Sequence, residues 1–245
     1  MHETMVIARR ELRSFFLSPI AYVVGAAFLG VGGYLFFNRI LIESAGTSQE
    51  ARMVLFFQLM PIAMLILAPA LAMRQWSEER KLGTLELLLT YPVTTGQLVV
   101  GKFLASMLFV GILLLLSLLY PISLSFFGDL DWGPTLGGFF GCWLLAAAYL
   151  AFGLFASALT RDQIVALVVS LVALGLLEFF TSSTIGQYLL GDTIIAVLGL
   201  LSPGQHFASI TKGVVDLGDL VFYVVFCGLF LFLNASILEV KKRVG

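Results

Sequence analysis

Long uncharged runs alternate with short charged ones along this chain, and the alternation predicts its elements. The apolar runs are Ser14–Asn38, Met53–Met73, Phe103–Gly128, a stretch within Trp132–Thr160, Gln163 to about Phe180, and Leu220–Leu238. Each is long enough to span as a helix, since ~20 residues at about 1.5 Å per residue cross a hydrocarbon layer. Pro19 is placed to start the first span. Gly25, Gly30, Gly32 and Gly33 give it a flat side for close packing against another helix. Pro61 and Pro69 fall inside the second span and Pro121 inside the third, where each frees a backbone carbonyl and favours a kink. Trp132 belongs at headgroup depth. Arg161 and Asp162 form so short a turn that the fourth and fifth spans make an antiparallel hairpin.

Two stretches break this pattern. Residues 3–17 predict an amphipathic helix lying on a membrane surface. Met5, Ala8, Leu12, Phe15 and Phe16 share roughly a 100° arc, and Arg9, Arg10 and Arg13 form a basic flank toward anionic headgroups. Glu3, Glu11 and the length of the next apolar run argue against a cleaved signal. Residues 183–218 do not read as a clean span. Ile194–Leu201 is continuously apolar but too short to cross, and Ser202-Pro203-Gly204-Gln205-His206 breaks the apolar character directly after it. A re-entrant or interfacial helix on the outer face is the reading, with a seventh span as the alternative.

Composition agrees with lipid as the solvent. The chain has 245 residues, 60% hydrophobic and 12% charged, with a mean hydropathy of +1.02. A soluble domain is nearer a quarter charged. The net charge of −1 argues against a nucleic-acid partner. Cys142 and Cys227 lie in apolar runs and read as small hydrophobes, with neither a disulfide nor a metal implied.

The densest charge lies between the second and third spans, from Arg74 to Lys102. Ser77–Lys81 is acidic, then basic. Leu82, Leu85, Leu88 and Leu89 recur at helical spacing, with Thr84 able to cap a new turn after Gly83 and Pro92 ending it. Six spans put both termini and this loop on one side, together with Arg9, Arg10, Arg13, Arg74, Arg80, Lys81, Lys102, Arg161, Lys241, Lys242 and Arg243. Only Arg39, Arg52 and Lys212 fall on the other side, which is acidic through Glu43, Glu50, Asp129, Asp131, Asp192, Asp216 and Asp219. That sorting makes the loop and both termini cytoplasmic.

Glu78-Glu79-Arg80-Lys81-Leu82-Gly83-Thr84-Leu85-Glu86, with Pro92-Val93, resembles the signature of type-2 ABC exporter permeases. The resemblance covers the whole chain as one permease domain, 1–245. It implies an all-α polytopic fold of six transmembrane helices with the N-terminal surface helix and a re-entrant segment. It also implies a cytoplasmic coupling helix, 76–92, that docks on a separate ABC ATPase through Glu78, Glu79, Arg80, Gly83, Thr84 and Glu86. Leu201-Ser202-Pro203-Gly204-Gln205-His206-Phe207 and Lys212-Gly213-Val214-Val215-Asp216-Leu217-Gly218-Asp219 resemble more narrowly the gliding-motility-type permeases, although Gly218 stands where a bulkier residue is expected.

For partners the resemblance implies a second permease copy, most simply as a homodimer, in a bacterial inner membrane. An auxiliary periplasmic protein is a further candidate. ATP and magnesium belong to the partner, because no Gly-x-x-x-x-Gly-Lys-Ser/Thr run occurs here. The chain is therefore expected to be a transport subunit and not itself an enzyme. Glu178 and His206 are the candidate translocation or outer-gate residues, although pairing between helices suits Glu178, and capping or packing suits His206. The competing function is a membrane scaffold without cargo of its own. A secondary transporter would need polar groups at mid-membrane and internal repeats, and neither is evident.

Overall fold

The computed structural model describes residues 2–41, 51–90, 93–126, 130–211 and 216–244. Among the described residues every regular element is a helix, and six helices are long and apolar enough to cross a membrane.

Helix α1 (His2–Leu17) is the expected N-terminal amphipathic helix. It stops because Ser18 turns to extended backbone and Pro19 opens α2 (Pro19–Leu35), its fixed φ suited to a first helical turn. The first span therefore begins at Pro19 and not at Ser14. The buried arc of α1 is also narrower than its apolar arc. Ala8 and Phe15 are buried, and Ile7 and Leu12 pack on the core, while Met5 and Phe16 are exposed. A helix on a membrane surface has two apolar neighbours, protein on one flank and lipid on the other. After Leu35 the helix widens into a π-helical turn, Phe36–Leu41.

Helix α3 (Ala51–Ala72) passes through Pro61 and Pro69 and, after one turn residue at Met73, leads into α4 (Arg74–Lys81). Phe56–Lys81 forms one 26-residue stretch. The second span thus does not end where charge begins. A turn at Leu82 and Gly83 leads to α5 (Thr84–Thr90). The coupling segment expected at 76–92 is two helical pieces joined at Leu82 and Gly83, and Pro92 lies outside the described residues.

Helix α6 (Thr95–Ser117) starts well before the expected Phe103. A reciprocal cap fixes its start: Gln97 N–H donates to Thr94 Oγ1 at 3.3 Å and Thr94 N–H donates to Gln97 Oε1 at 3.0 Å. Local capping here outweighs the hydropathy edge. Helix α7 (Leu119–Ser125) continues α6 beyond a break at Leu118. The break precedes Pro121, which has no N–H to offer the carbonyl one turn earlier.

Helix α8 (Trp132–Leu159) is capped by Asp131, whose carboxylate accepts from Gly133 N–H at 3.0 Å. It is the axis of the molecule: most of its residues are buried, whereas α2, α9 (Gln163–Ser182) and α12 (Leu217–Val244) bury few of theirs. Its alanines and glycines let neighbours approach closely, which is how helices associate without a hydrophobic drive between them. Gly25 and Gly33 of α2 serve the same purpose within the chain, whereas Gly30 has open space at its Cβ position. A Cβ at Gly25 would lie 3.2 Å from Leu113, and one at Gly33 would lie 3.3 Å from Tyr120 Oη. The Tyr120 hydroxyl donates to Leu29 O at 2.6 Å.

Between α9 and α12 run α10 (Thr184–Leu201), broken at Gly191, and α11 (Pro203–Ile210). Thr193–Leu201 and Pro203–Ile210 are bent by 74° to one another. Residues 212–215 lie outside the described set.

Contacts sort the helix ends into two faces. On one face Arg74 donates to Ser18 Oγ, Lys102 meets Glu11, Thr95 Oγ1 donates to Glu239 at 2.9 Å, and Lys241 donates to Ala158 O at 2.6 Å. That face holds α1, the end of α4, the start of α6, the end of α8 and the end of α12. The start of α8 and the start of α12 therefore lie on the opposite face. Since α9 ends on that face and α12 starts there, the segment between them returns to the side it left.

Candidate functional site

The charged segment is rooted in the protein, not laid on its surface. Gln75, Trp76 and Ser77 of α4 are buried against α8. The backbone N–H groups of Trp76 and Ser77 both donate to Ser157 Oγ at 3.2 Å, and that hydroxyl donates to Met73 O at 2.8 Å. This polar knot sits where α3 passes into α4, so it fixes the direction of the charged turn relative to the axis helix. Gln75 Nε2 donates to Ser106 Oγ at 3.0 Å.

Beneath it lies a charge triad. Lys102 is 1% exposed in α6, with its ammonium 2.8 Å from Glu79 Oε1 and 3.3 Å from Glu11 Oε1. The same ammonium lies 4.9 Å from the centre of the Trp76 ring. A buried ammonium is tolerated when paired and hydrogen-bonded. A Cβ at Gly101 would lie 2.7 Å from Ile7 Cγ2, so that glycine lets α1 come close enough to bring Glu11 to Lys102. Glu79 Oε2, Gln75 Oε1 and Trp76 Nε1 are buried without partners among the described residues.

Arg80 closes the other side. Its guanidinium donates to the carbonyls of Ala158, Leu159 (3.3 Å) and Thr160 (2.9 Å), the orphan acceptors at the end of α8. Glu79 and Arg80, expected as docking residues, thus both have partners inside the protein. Both groups bind the segment to the spans. Glu78 is tied by a 3.0 Å ion pair to Arg74 and is half-exposed.

Beyond this root the chain turns outward. Gly83 has φ +70°, as a turn between two helical pieces requires, and no atom lies near where its Cβ would be. Thr84 starts α5, and its hydroxyl donates to Glu79 O at 3.2 Å. Lys81, Leu82, Gly83, Thr84 and Glu86 are exposed, whereas Leu85 is buried and Leu88 packs on the core. The leucine stripe thus divides: Leu85 and Leu88 face the spans and Leu82 faces out. Among the expected docking residues, Gly83, Thr84 and Glu86 form an exposed tip, with Glu78 at its edge.

At the opposite face a second network organises the returning segment. Glu178 Oε1 accepts from the Tyr149 hydroxyl and from Gly204 N–H, each at 2.9 Å, and Glu178 Oε2 accepts from Ser202 Oγ at 2.9 Å. The carboxylate joins α8, α9 and the start of α11, where a helix favours negative charge. His206 stacks on Phe222 with ring centres 3.9 Å apart, and its Nδ1 lies 2.7 Å from Asp219 Oδ1. Asp219 also accepts from Ser209 Oγ, and the Tyr223 hydroxyl donates to Pro203 O at 2.7 Å. Helix pairing describes Glu178, and packing with an acidic partner describes His206.

Among the described residues, six apolar helices with one of them a buried axis, a charged segment rooted between two of them, and a broken helix on the far face are the geometry that a family comparison must explain. A family model described as ABC-2 family transporter protein matches residues 5–240. The chain belongs to the ABC-2 transporter family. It is a multi-pass membrane protein and, by that membership, a membrane permease subunit of an ABC system. Comparison with curated proteins gives no match.

Within this ABC-2 permease, sequence reasoning missed Lys102, Gln75, Trp76 and Ser157. Lys102 looked like one more loop charge. The signal that could have found it is the Thr94–Gln97 capping pair, which moves the start of the third span ahead of Lys102.

Proposed function

We propose that this ABC-2 permease is the membrane half of an ATP-driven exporter, with ATP and magnesium bound on a separate ABC ATPase and a second copy of this chain completing the unit. It sits in a bacterial inner membrane with both termini and the Lys81–Glu86 tip in the cytoplasm. The finer resemblance, to gliding-motility-type permeases with an auxiliary periplasmic partner, rests on Ser202–Phe207, the residues that open α11.

The observation that carries the reading is the contrast along one segment. An exposed tip, Lys81 to Glu86, is joined to a root held by Lys102, Ser157 and the end of α8. Such a tip suits a groove of a soluble partner, and such a root carries its displacement into α6 and α8 without bending. The sorting of Arg9, Arg10, Arg13, Arg80, Lys81, Arg161 and Lys242 to the face bearing the tip supports its cytoplasmic side. When ATP closes the two ATPase subunits, each tip moves inward and the helices move with it. The apolar faces of α2, α9 and α12 are the surfaces available to a second copy.

The test reverses charge at the tip and leaves the root intact. Wild-type permease purified from its own cells should carry an ABC ATPase, identified by mass spectrometry. Lys81→Glu with Glu86→Lys should lose that subunit while keeping wild-type expression and melting. Retention of the ATPase by this double variant would sink the docking role. Glu79→Lys is a poor test, because it sets two ammonium groups together and damages the root.

A further inference from the structure

Two concavities lie in succession along the protein, one between α1 and α4 and one between α2 and α3. The first is a cavity of about 450 Å³ at the basic face, between α1 and α4. Arg10, Arg13, Arg74 and Lys102 line it with Glu11, Glu78 and Glu79, so four cations face three carboxylates. Phe15, Leu17 and Leu82 supply apolar wall. The second is a groove of about 340 Å³ between α2 and α3, almost wholly apolar. It runs from Val23 and Ala70 to Leu35 and Phe56. The antiparallel helices place its near end about one turn from Ser18 and Arg74, which are hydrogen-bonded to each other.

From these we infer a binding site for one anionic glycerophospholipid, its phosphodiester in the basic cavity and an acyl chain in the α2–α3 groove. Length supports this occupant. Twelve residues from Val23 to Leu35 give ~18 Å of helix, close to one leaflet of ~15 Å. Charge supports it too, because the cavity keeps one positive charge in excess and Arg9, on the same helix, is exposed beside it. Three of the four cations are arginines, whose planar forks match phosphate oxygens in pairs. The lipid would bridge α1 to α4, touching the root of the coupling segment from the side opposite α8. The site needs only this chain, so it stands or falls apart from docking on an ATPase.

Purified permease in detergent micelles, titrated with dioleoyl phosphatidylglycerol or dioleoyl phosphatidylcholine and read by native mass spectrometry, tests it. Wild type should bind the anionic lipid about tenfold more tightly than the zwitterionic one. Arg13→Glu should abolish that preference, and Ala63→Trp, which fills the groove, should weaken binding of both lipids. Arg13 is exposed and Ala63 half-buried, so neither variant should unfold the protein. Equal affinity of wild type for the two lipids overturns the headgroup site. Unchanged lipid binding in Ala63→Trp, with altered oligomeric state, overturns the acyl groove and gives that surface to a second copy.

Discussion

The Lys102 ammonium lies 2.8 Å from Glu79 Oε1, deep in the packing between α4 and α6. Glu11 of α1 completes the contact at 3.3 Å. One buried cation thus holds the surface helix, the charged segment and the third span together. Lys102→Met should strand two carboxylates at the cost of their common partner. Removing one member of a buried pair costs about 3–5 kcal/mol, here at the lower end because Glu11 and Glu79 still reach some water. The variant should melt several degrees below wild type in micelles, and adding Glu79→Gln should recover part of the loss. A wild-type melting temperature for Lys102→Met would show that the triad holds nothing.

Glu178 makes a separate prediction about the far face. Its two oxygens accept from Tyr149, Ser202 and Gly204, so the start of α11 hangs on one carboxylate. Glu178→Leu removes the acceptor of all three bonds, while Glu178→Gln keeps a hydrogen-bonding group of the same shape. Charge-assisted bonds contribute about 1.5–3 kcal/mol each, and their loss promotes local opening. Hydrogen exchange in residues 203–210 should rise about tenfold or more in Glu178→Leu and less in Glu178→Gln. Unchanged exchange in both would mean that apolar packing of Phe207 and Ile210 alone holds α11.

Element number and the broken segment were legible because hydropathy over a membrane length is a strong constraint. The start of α6 was not, since Thr94 and Gln97 act through a local cap that hydropathy does not register. Glu78, Glu79 and Arg80 read as equivalent surface charges because adjacency in sequence hides direction. On a helix they point to different neighbours, Arg74, Lys102 and the end of α8. The turn at Gly83 was legible, because Thr84 is able to cap a new helical turn directly after that glycine, and the structure gives Gly83 a positive φ. The axis role of α8 was not, because the six apolar runs look alike until packing distinguishes them.

Sidedness can be read with single cysteines in a variant lacking Cys142 and Cys227. Thr84 and Asp131 are both exposed and lie on opposite faces. A membrane-impermeant maleimide added to intact spheroplasts should label a cysteine at position 131 and not one at 84 until the membrane is opened. Labelling at 84 in intact spheroplasts would reverse the orientation and remove the tip from the ATPase side.

Gly83 isolates the geometry of the tip from its charge. Its φ of +70° lies in the left-handed region, and nothing stands near its Cβ position. An alanine there meets no clash with a neighbour, so any effect comes from its own backbone. Left-handed backbone costs a residue with a Cβ about 1–2 kcal/mol, and asparagine bears it better than alanine. Because Leu85 and Leu88 anchor α5 on the spans, the turn cannot relax without pulling at them or re-aiming Leu82 and Glu86. Gly83→Ala should therefore keep the permease folded but lower the ATPase rate it stimulates by about fivefold or more, with Gly83→Asn falling between it and wild type. Lys81 and Glu86 are unchanged in these variants, so any difference between alanine and asparagine reports the angle of the tip and not its charge. Equal stimulation by all three proteins would mean that the partner does not read the turn.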